Sequence, residues 1–386
     1  MTYLTRKVDI NLGYGCNAKC PFCYYYDSVV TSENLNTLST EQAKQQLQQA
    51  KRIGIEEVEF TGGEVSLRKD FAELVTYAKS DLGFKVVSMV TNGIVLASFD
   101  YLKTLAAAGL DDILFSVHGH RADIHDALTV TKGSFSRIMQ AIDHAIALGL
   151  RVRTNTVVCK TNHHYLGDIF ELLIAKRVNN INLIAFNPII QARNKEVIAD
   201  LYLSYPEAGQ SMMSAIEQHR THLPHLNIRY LPPCFVPGYE QYVTNLDQMN
   251  FDPDEWNNYA SFRLRKGRWL AWAAALVGIA VLPFKRYALR YGLRGLFMAG
   301  MGRFYIFKDK VKSAKCRQCA YENVCDYLWK GYYDIYGDDA IQPIAGQKIA
   351  NPAWCMNAAH IRTPGQLPTV SRPSEPAVSQ PRLIDA

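Results

Sequence analysis

The stretch VDINLGYGCNAKCPFC, residues 8–23, joins an apolar, β-branched run to three closely spaced cysteines. Val8–Leu12 predicts a β-strand, and the cysteines follow it directly on a short loop. Three thiolates on one loop can hold three irons of a [4Fe–4S] cube and leave the fourth iron open to a cofactor or substrate. A zinc site without its fourth ligand, or thiols without a metal, are the alternatives. The three residues are Cys16, Cys20 and Cys23.

Short β-branched runs alternate with amphipathic stretches from residue 7 to 185, and the repeated βα units predict a parallel sheet with helices outside. The sheet is either a barrel-like wrap or an open doubly wound sheet, and in both the chemistry gathers at the carboxyl ends of the strands. The predicted strands are Val8–Leu12, Glu57–Phe60, Lys85–Val90, Asp112–Val117, Arg151–Val158, Asn180–Ala185 and Leu226–Leu231. The predicted helices are Thr40–Ile53, Asp70–Ser80, Phe99–Ala108, Phe135–Leu148, Leu166–Lys176 and Ser204–His222, and Ser39 is the predicted N-cap of the first.

Polar residues lie where these strands end. The second strand runs into Gly62-Gly63-Glu64, where paired glycines would let the backbone approach a ligand closely and a carboxylate could accept hydrogen bonds from an ammonium group. Thr91 and Ser116 lie at the ends of the third and fourth strands, and Asn155 lies within the fifth. We therefore expect a polar site at this edge of the sheet, around the cysteine loop.

These motifs resemble those of the radical S-adenosylmethionine (SAM) superfamily, whose signature C-x3-C-x-aromatic-C stands here as Cys16 to Cys23. The resemblance implies that the three cysteines bind a [4Fe–4S] cluster whose open iron chelates SAM, and that Phe22 packs near the adenine. It also implies that Glu64, with Gly62 and Gly63, holds the methionine amino group, and that Thr91, Ser116 and Asn155 contact SAM. The order of motifs is similar to the branch of molybdenum-cofactor and quinone-cofactor maturases.

A second cysteine set, Cys316-x2-Cys319-x5-Cys325, needs at least one more ligand for a closed zinc or [4Fe–4S] site. The set resembles the auxiliary-cluster domains of the same superfamily, called SPASM or, when shortened, twitch. One ligand of the longer pattern is replaced by Trp329, so we predict a single auxiliary [4Fe–4S] cluster. The preferred fourth ligand is Cys234, Cys355 is the substitute, and a structural zinc is the alternative.

Between the two cysteine sets lies a basic, apolar insert. Residues 263–315 contain thirteen Lys or Arg residues against one acidic residue, Asp309, in a chain whose net charge is +6. Within it Trp269–Phe284 has sixteen residues and no charge, which is too short to cross a bilayer. We expect a hairpin or helix that dips into an anionic leaflet, with Trp269, Trp272 and Phe284 at the headgroups. A buried core helix is the alternative, and the apolar core does not suit nucleic acid.

The expected fold is therefore α/β: a partial (β/α)6 TIM-like barrel of the radical SAM type with a smaller C-terminal cysteine-rich auxiliary-cluster domain. Residues 1–230 would form the radical SAM core, 231–262 a linker that contains Cys234, 263–315 the insert and 316–362 the auxiliary domain. Residues 235–262 of the linker, rich in Tyr, Asn and Asp, are expected to be loop. Residues 363–386, rich in Pro and poor in apolar residues, are expected to be disordered.

Apolar residues make up 48% of the 386 residues and charged residues 20%, which excludes a wholly disordered or coiled-coil chain. The first residues have no signal-peptide core, so we expect a cytoplasmic protein, or one peripheral on the inner face of the membrane. The hypothesis is an enzyme that cleaves SAM reductively to a 5′-deoxyadenosyl radical and abstracts hydrogen from a substrate, with net oxidation assisted by the auxiliary cluster.

The substrate of this hypothetical enzyme is lipid-linked, a peptide or a small molecule, and an electron donor such as flavodoxin or ferredoxin is implied. The first alternative is a peptide maturase that uses a separate leader-binding partner, since the first predicted strand begins by residue 8 and no leader-binding domain precedes it. The second alternative is a non-enzymatic iron–sulfur or zinc protein.

Overall fold

A computed structural model of the chain describes residues 4–26, 37–187, 199–252 and 254–353. Eight parallel strands form one sheet whose spatial order follows the chain order. The strands are β1 (Lys7–Asn11), β2 (Glu57–Thr61), β3 (Val86–Thr91), β4 (Asp112–Ser116), β5 (Arg151–Val158), β6 (Asn180–Ala185), β7 (His225–Arg229) and β8 (Val243–Thr244). The predicted six-stranded partial barrel is thus confirmed and extended by β7, also predicted, and by β8, which was not.

Seven helices flank the sheet along the described part of β1 to β7. They are α1 (Thr40–Arg52), α2 (Phe71–Thr76), α3 (Phe99–Ala107), α4 (Ala122–Thr129), α5 (Ser134–Ala147), α6 (Leu166–Ala175) and α7 (Tyr205–His219). Apolar side chains from the strands and from these helices, such as Phe60 on β2 and Leu47 on α1, form the main hydrophobic core. Ser39 caps α1 through a capping box with Gln42, as its position before the helix predicted.

The inner face of the curled sheet carries charges instead of apolar side chains. Arg153 on β5 is fully buried and pairs with Asp112 on the neighbouring strand and with Glu59 on β2, three strands away. Side chains separated by that many strands meet only because the sheet curls around a lumen. The curl therefore places a buried network of ion pairs below the carboxyl edge of the strands.

Residues 235–262 were predicted to form a loop, and this prediction is wrong. They contain β8, the short helix α8 (Leu246–Met249) and the start of α9 (Asn258–Lys266). The turn before α9 closes the lumen, since Asp254 pairs with Arg151 at 2.7 Å and the indole of Trp256 donates to Glu59 at 2.6 Å. Their charged and aromatic side chains satisfy the inner face of the sheet, which explains why a polar stretch is ordered here.

The basic insert folds into three helices, α10 (Arg268–Ala280), α11 (Lys285–Ala288) and α12 (Gly292–Asp309). The ring of Trp272 stacks on Phe297, and Gly278 approaches both Gly300 and Phe304. Residues later in α10 contact residues later in α12, so the two helices run in the same direction and do not form a hairpin. Within the described ranges, no helix combines the length and the apolar character needed to cross a membrane.

The cysteine-rich C-terminal region packs against the barrel. It contains the antiparallel pair β9 (Lys310–Val311) and β10 (Leu328–Trp329), followed by α13 (Lys330–Tyr336). The ring of Tyr332 on α13 stacks on Tyr205 of α7 with centroids 3.6 Å apart, and its hydroxyl accepts from the Tyr205 amide at 3.0 Å. This contact joins the C-terminal region to the barrel helix α7. Cys355 and residues 363–386 lie outside the described residues.

Candidate active site

The three N-terminal cysteines lie together on the loop that follows β1. Their side chains are half-buried and unpaired by disulfides. The amide of Ala18 donates to Sγ of Cys16 and the amide of Tyr25 to Sγ of Cys23, each at 3.4 Å. Amide donors aimed at sulfur stabilise the thiolate form, which is the form that binds a metal.

Burial opposes that ionisation. It raises the pKa of Cys16 to about 11 and also raises the pKa of Cys20 and Cys23. For Cys20 the next largest causes are the nearby Cys23 and Cys16, so the structure does bring the three sulfurs together. Thiolates in such a place require a compensating positive charge, and the irons of a cluster supply it. The donor set therefore fits an iron–sulfur cluster.

Gly62 and Gly63 bring the end of β2 against the cysteine loop. A Cβ atom on Gly62 would lie 2.2 Å from the carbonyl oxygen of Gly13, and one on Gly63 would lie 2.2 Å from that of Gly15. The amide of Gly63 donates to Gly13 at 2.8 Å and the amide of Glu64 donates to Gly15 at 2.6 Å. The sequence suggested close approach to a ligand, but in the structure the glycines allow close approach to the loop that carries the cysteines.

Glu64 is 3% exposed, and its carboxylate joins the ends of β2 and β3. Oε1 accepts from the hydroxyl of Thr91 at 2.8 Å and from both the amide and hydroxyl of Ser66, while Oε2 accepts from the amide of Asn92 at 2.7 Å. Burial raises the pKa of Glu64, and these donors oppose the shift. Oε2 has one bond, so it retains capacity to accept from a ligand.

Asn92 is a site residue that the sequence prediction passed over in favour of its neighbour Thr91. Its Nδ2 donates to Oδ1 of Asn17 at 2.7 Å and lies 3.7 Å from Sγ of Cys16. Thr91 is instead engaged internally, because its hydroxyl donates to Glu64 and accepts from the amide of Gly93. The signal available in the sequence was an amide side chain at a strand end, which pairs well with a loop residue such as Asn17.

Ser116 and Asn155 lie opposite each other in the register of β4 and β5, and both are half-buried. Oδ1 of Asn155 accepts from Asn182 on β6 at 3.0 Å. A row of polar side chains therefore crosses three strands at the inner face of the sheet. The role of these residues in binding SAM remains a prediction.

Phe22, between the second and third cysteines, packs edge-on against His118 with ring centroids 4.6 Å apart. His118 follows β4 and is buried, which lowers its pKa well below the usual value. Its Nδ1 accepts from the amide of Val157 at 3.3 Å. A neutral ring held in this way supports the cysteine loop from the side of β4 and β5.

The second cysteine set surrounds a cavity. Pro232, Pro233, Tyr321, Tyr327 and Leu328 are among the residues that line it, together with all four predicted ligands, Cys234, Cys316, Cys319 and Cys325. Burial raises the pKa of Cys234 to about 12, and the neighbouring Cys319 and Cys316 add to the shift. Cys234 thus meets a set that follows it by more than eighty residues of chain, and four convergent thiols fit a closed cluster. Among the residues that the structure describes, no three His, Cys, Asp or Glu side chains form a site for a single metal ion.

A buried lysine, which the sequence did not indicate, lies beside this cavity. The Nζ atom of Lys310 lies 3.4 Å from the centroid of the Trp329 ring and 3.9 Å from Asp326. Burial lowers the pKa of Lys310 to about 8, and Asp326 and Cys325 oppose the shift. The position that carries a cysteine in longer auxiliary domains thus carries an aromatic partner for this cation.

The chain is similar in sequence to known proteins. Residues 10–173 match the family described as "Radical SAM superfamily". Curated relatives include a "Probable GTP 3',8-cyclase" of Saccharolobus solfataricus, 36% identical over 185 residues, which are 48% of this chain and 58% of that protein. A protein of the same name from Sulfurisphaera tokodaii is 31% identical over 190 residues, 49% of this chain and 58% of its own.

Solved structures that match the chain include Streptococcus suis SuiB bound to S-adenosylmethionine, with a TM-score of 0.48 and 16% identity over 58% of this chain and 50% of that one. Another is anSMEcpe with bound AdoMet, with a TM-score of 0.48 and 16% identity over 58% of this chain and 64% of that one. The chain spans about 58% of the length of the curated relatives it matches.

Proposed function

We propose that the chain is an enzyme of the radical SAM type, which cleaves SAM reductively and abstracts a hydrogen atom from its substrate. The match of residues 10–173 to the radical SAM superfamily supports this proposal. The observation that carries this proposal is the contact between the three-cysteine loop and the Gly62–Glu64 strand end, made through two backbone hydrogen bonds. When bound, the cluster and SAM supply the reductive C–S cleavage that yields a 5′-deoxyadenosyl radical.

The protein residues hold and orient these groups. Cys16, Cys20 and Cys23 are the cluster ligands, and the side-chain amide of Asn92 holds the loop near Cys16. Glu64 accepts from the SAM ammonium through the free capacity of Oε2, while its other bonds fix its rotamer. Gly62 and Gly63 place that carboxylate beside the loop, Phe22 packs near the adenine, and Ser116 and Asn155 contact the remainder of SAM. Thr91 acts by positioning Glu64.

The cavity at the second cysteine set would hold an auxiliary [4Fe–4S] cluster on Cys234, Cys316, Cys319 and Cys325. Four thiols converge there from two distant segments, and the lining between them is mostly apolar and aromatic. A cluster held there would supply an acceptor for an electron from the substrate radical, so that the reaction would be a net oxidation, or a direct binding point for the substrate. Lys310 lies near enough to act on this site through its charge. An electron donor such as flavodoxin or ferredoxin would supply the electron that the SAM-binding cluster needs.

For the substrate we favour a lipid or another molecule held at a membrane, with the enzyme peripheral on an anionic surface. The support is the set of large apolar side chains that α10 exposes, Trp269 and Leu270 among them, beside a rim of Lys and Arg. A peptide bound with a separate leader-binding partner is the alternative. The GTP cyclisation named for the relatives concerns proteins of which this chain spans little more than half.

The test is iron, sulfide and 5′-deoxyadenosine measurement on anaerobically reconstituted protein. Wild type is expected to bind about eight irons in two cubes. Replacing Cys16, Cys20 and Cys23 by Ala should remove about half of the iron and all SAM cleavage, and replacing Cys316, Cys319 and Cys325 should remove the other half. Cys159→Ala, a buried thiol in neither set, is the control and should keep both clusters.

Release of 5′-deoxyadenosine by the first triple variant under dithionite would show that the catalytic assignment is wrong. Zinc in place of iron in the second set would replace the auxiliary cluster by a structural site. Failure of the wild type to cleave SAM, with both clusters loaded, would favour a non-enzymatic iron–sulfur protein.

A further inference from the structure

Helix α10 buries its small residues and exposes its large apolar ones. Its buried residues are small, namely Ala271, Ala274, Ala275 and Gly278. Its exposed residues are large and apolar, namely Trp269 (72% exposed), Leu270, Trp272, Leu276 and Val277, and Val281 follows directly after the helix. A helix packed for the core of a water-soluble domain normally buries its large apolar side chains, because their burial contributes most to stability.

The small face is committed to α12. A Cβ atom on Gly278 would lie 1.7 Å from the carbonyl oxygen of Gly300, and one on Gly300 would lie 2.4 Å from that of Ala275. The two backbones are in such close contact that neither helix can rotate to bury its large residues there. Small residues at a helix–helix contact with large apolar residues outside are typical of helices surrounded by lipid.

The apolar surface continues onto α12. The ring of Trp272 stacks on Phe297, with centroids 6.3 Å apart and planes 13° apart. Leu293, 70% exposed, lies one helical turn before Phe297 on the same face. We call these exposed residues of α10, with Val281 and Leu293, the apolar face. Phe284, expected at the headgroups, is not part of it, because that ring is 4% exposed and lies under the guanidinium of Arg303.

Basic residues lie on both sides of the apolar face along the chain, and this stretch of chain contains no acidic residue. No Asp or Glu occurs between Glu255 and Asp309. The guanidinium of Arg268 lies 5.3 Å from the ring of Trp269. Exposed basic residues of the same stretch of chain are Lys266, Lys285, Arg286 and Arg290, and with Arg268 we call them the basic rim. Large apolar side chains, tryptophans and a wholly basic rim complement the acyl chains and headgroups of an anionic leaflet.

The start of α10 lies close to β1 and to Tyr25, two residues after Cys23. Arg265, in the last turn of α9, pairs with Asp9 of β1 at 2.9 Å, and α10 starts three residues later. β1 leads directly into the loop with Cys16, Cys20 and Cys23. A membrane in contact with the start of α10 would therefore lie near the strand that leads into the cysteine loop.

We propose that the apolar face and its basic rim dock the protein on the surface of an anionic lipid bilayer, with α10 lying in the interface. The helix has 13 residues, about 20 Å at 1.5 Å per residue, which is shorter than the roughly 30 Å hydrocarbon core. Docking itself depends only on this surface. Its purpose, to bring a membrane-held substrate to the barrel mouth, rests on the proposed function.

The test is co-sedimentation of the reconstituted full-length protein with vesicles of phosphatidylcholine alone, or mixed in equal parts with phosphatidylglycerol. Wild-type protein is expected to bind the mixed vesicles and not to bind those of phosphatidylcholine alone. The triple variant Arg268→Glu, Lys285→Glu, Arg286→Glu should lose binding by about a hundredfold or more. The control Lys103→Glu, Lys132→Glu, Arg137→Glu changes the net charge equally on the outside of the barrel and should still bind.

A second pair of variants tests the apolar term. Trp269→Ser with Trp272→Ser should also abolish binding, whereas Leu67→Ser, an exposed apolar residue elsewhere, should not. The tryptophan emission of the wild type should shift to the blue on mixed vesicles, and Trp269→Phe with Trp272→Phe should remove that shift while keeping most of the binding. Iron content and 5′-deoxyadenosine release without substrate, measured on every variant, report folding and the catalytic proposal separately from docking.

If the wild-type protein does not bind the mixed vesicles, the docking proposal is wrong, even if SAM cleavage is intact. So does equal binding by wild type and the Arg268 triple variant. A dimer in light scattering that Trp269→Ser with Trp272→Ser converts to a monomer, without vesicle binding, would assign the apolar face to a second copy of the chain. Vesicle binding only after deletion of residues 354–386 would assign it to that segment.

Discussion

The hydroxyl of Thr91 donates to Oε1 of Glu64 at 2.8 Å, so two residues that the sequence assigned separately to SAM bind each other. The bond joins the end of β3 to the end of β2, and the amide of Asn92 adds a second link through Oε2. Strand ends in a parallel sheet are brought together by the backbone ladder, but the rotamer of a carboxylate is set by such side-chain donors. Glu64 is therefore held in one orientation before any ligand arrives.

Glu64→Gln should weaken SAM binding by about 10- to 100-fold, because a bond to a charged partner contributes roughly 1.5–3 kcal/mol. Iron content should be unchanged. The measurement is SAM affinity by equilibrium binding to reconstituted protein. Thr91→Val, which removes a donor to Glu64 but not the carboxylate, should have a smaller effect. Wild-type affinity in Glu64→Gln would remove this residue from the SAM site.

Gly63→Ala should displace the cysteine loop, because the new Cβ would lie 2.2 Å from the carbonyl oxygen of Gly15. The expected result is a loss of up to half of the iron, confined to the N-terminal cluster, and a loss of SAM cleavage. The control is Gly83→Ala, where the backbone φ is +65° but no atom lies within 4 Å of the new Cβ. The control should lose about 1 kcal/mol of stability and keep its iron, which separates a clash from backbone strain.

Arg153→Leu should destabilise the fold by about 3–5 kcal/mol, because it leaves the carboxylates of Glu59 and Asp112 buried without their shared partner. The matched control is Arg220→Leu, whose exposed pair with Glu217 spans 3.6 Å and should contribute about 0–1 kcal/mol. Urea denaturation of the reconstituted proteins measures both. Similar midpoints for the two variants would mean that the lumen network does not hold the sheet in its curl.

The lumen also predicts a pH dependence. Burial raises the pKa of Glu255 to about 7, although Arg229 opposes the shift. A raised pKa means that the folded state holds a proton that the unfolded state releases, so stability present below the ordinary pKa of 4.5 is lost as the pH rises through about 7. The free energy of unfolding should therefore fall between roughly pH 5 and 8 in the wild type. Glu255→Gln should flatten this slope, and Glu73→Gln, an exposed control, should leave it as it is; equal slopes in all three proteins contradict the shift.

The barrel could be predicted from the sequence because its outer face is apolar at regular intervals. The strands Arg151–Val158 and Asn180–Ala185 were predicted with the bounds that the structure has. The helices and the strand in residues 235–262 could not be predicted, because the partners of Asp254 and Trp256 lie on strands far away in the chain. These partners are Arg151 and Glu59. Polar residues that are satisfied by distant charges look like loop residues when only their neighbours in sequence are considered.

The candidate sites show the same division. Local spacing was enough to group Cys16, Cys20 and Cys23, because one tight loop holds them whatever the rest of the chain does. It was also enough to group Cys316, Cys319 and Cys325. The convergence of Cys234 on the second set depends on how the chain after β7 packs against the C-terminal region.

The sequence by itself determined the βα alternation, the two cysteine sets and the basic, apolar character of residues 263–315. Those are properties of composition and spacing within one or two elements. Only the tertiary structure decided that Gly62 and Gly63 make room for the cysteine loop, that Asn92 reaches Cys16, and that α10 exposes Trp269 while it buries Ala275. The physical reason is that a side chain's partners are set by the packing of whole helices and strands, since the face that one element buries is chosen by the shape of its neighbour.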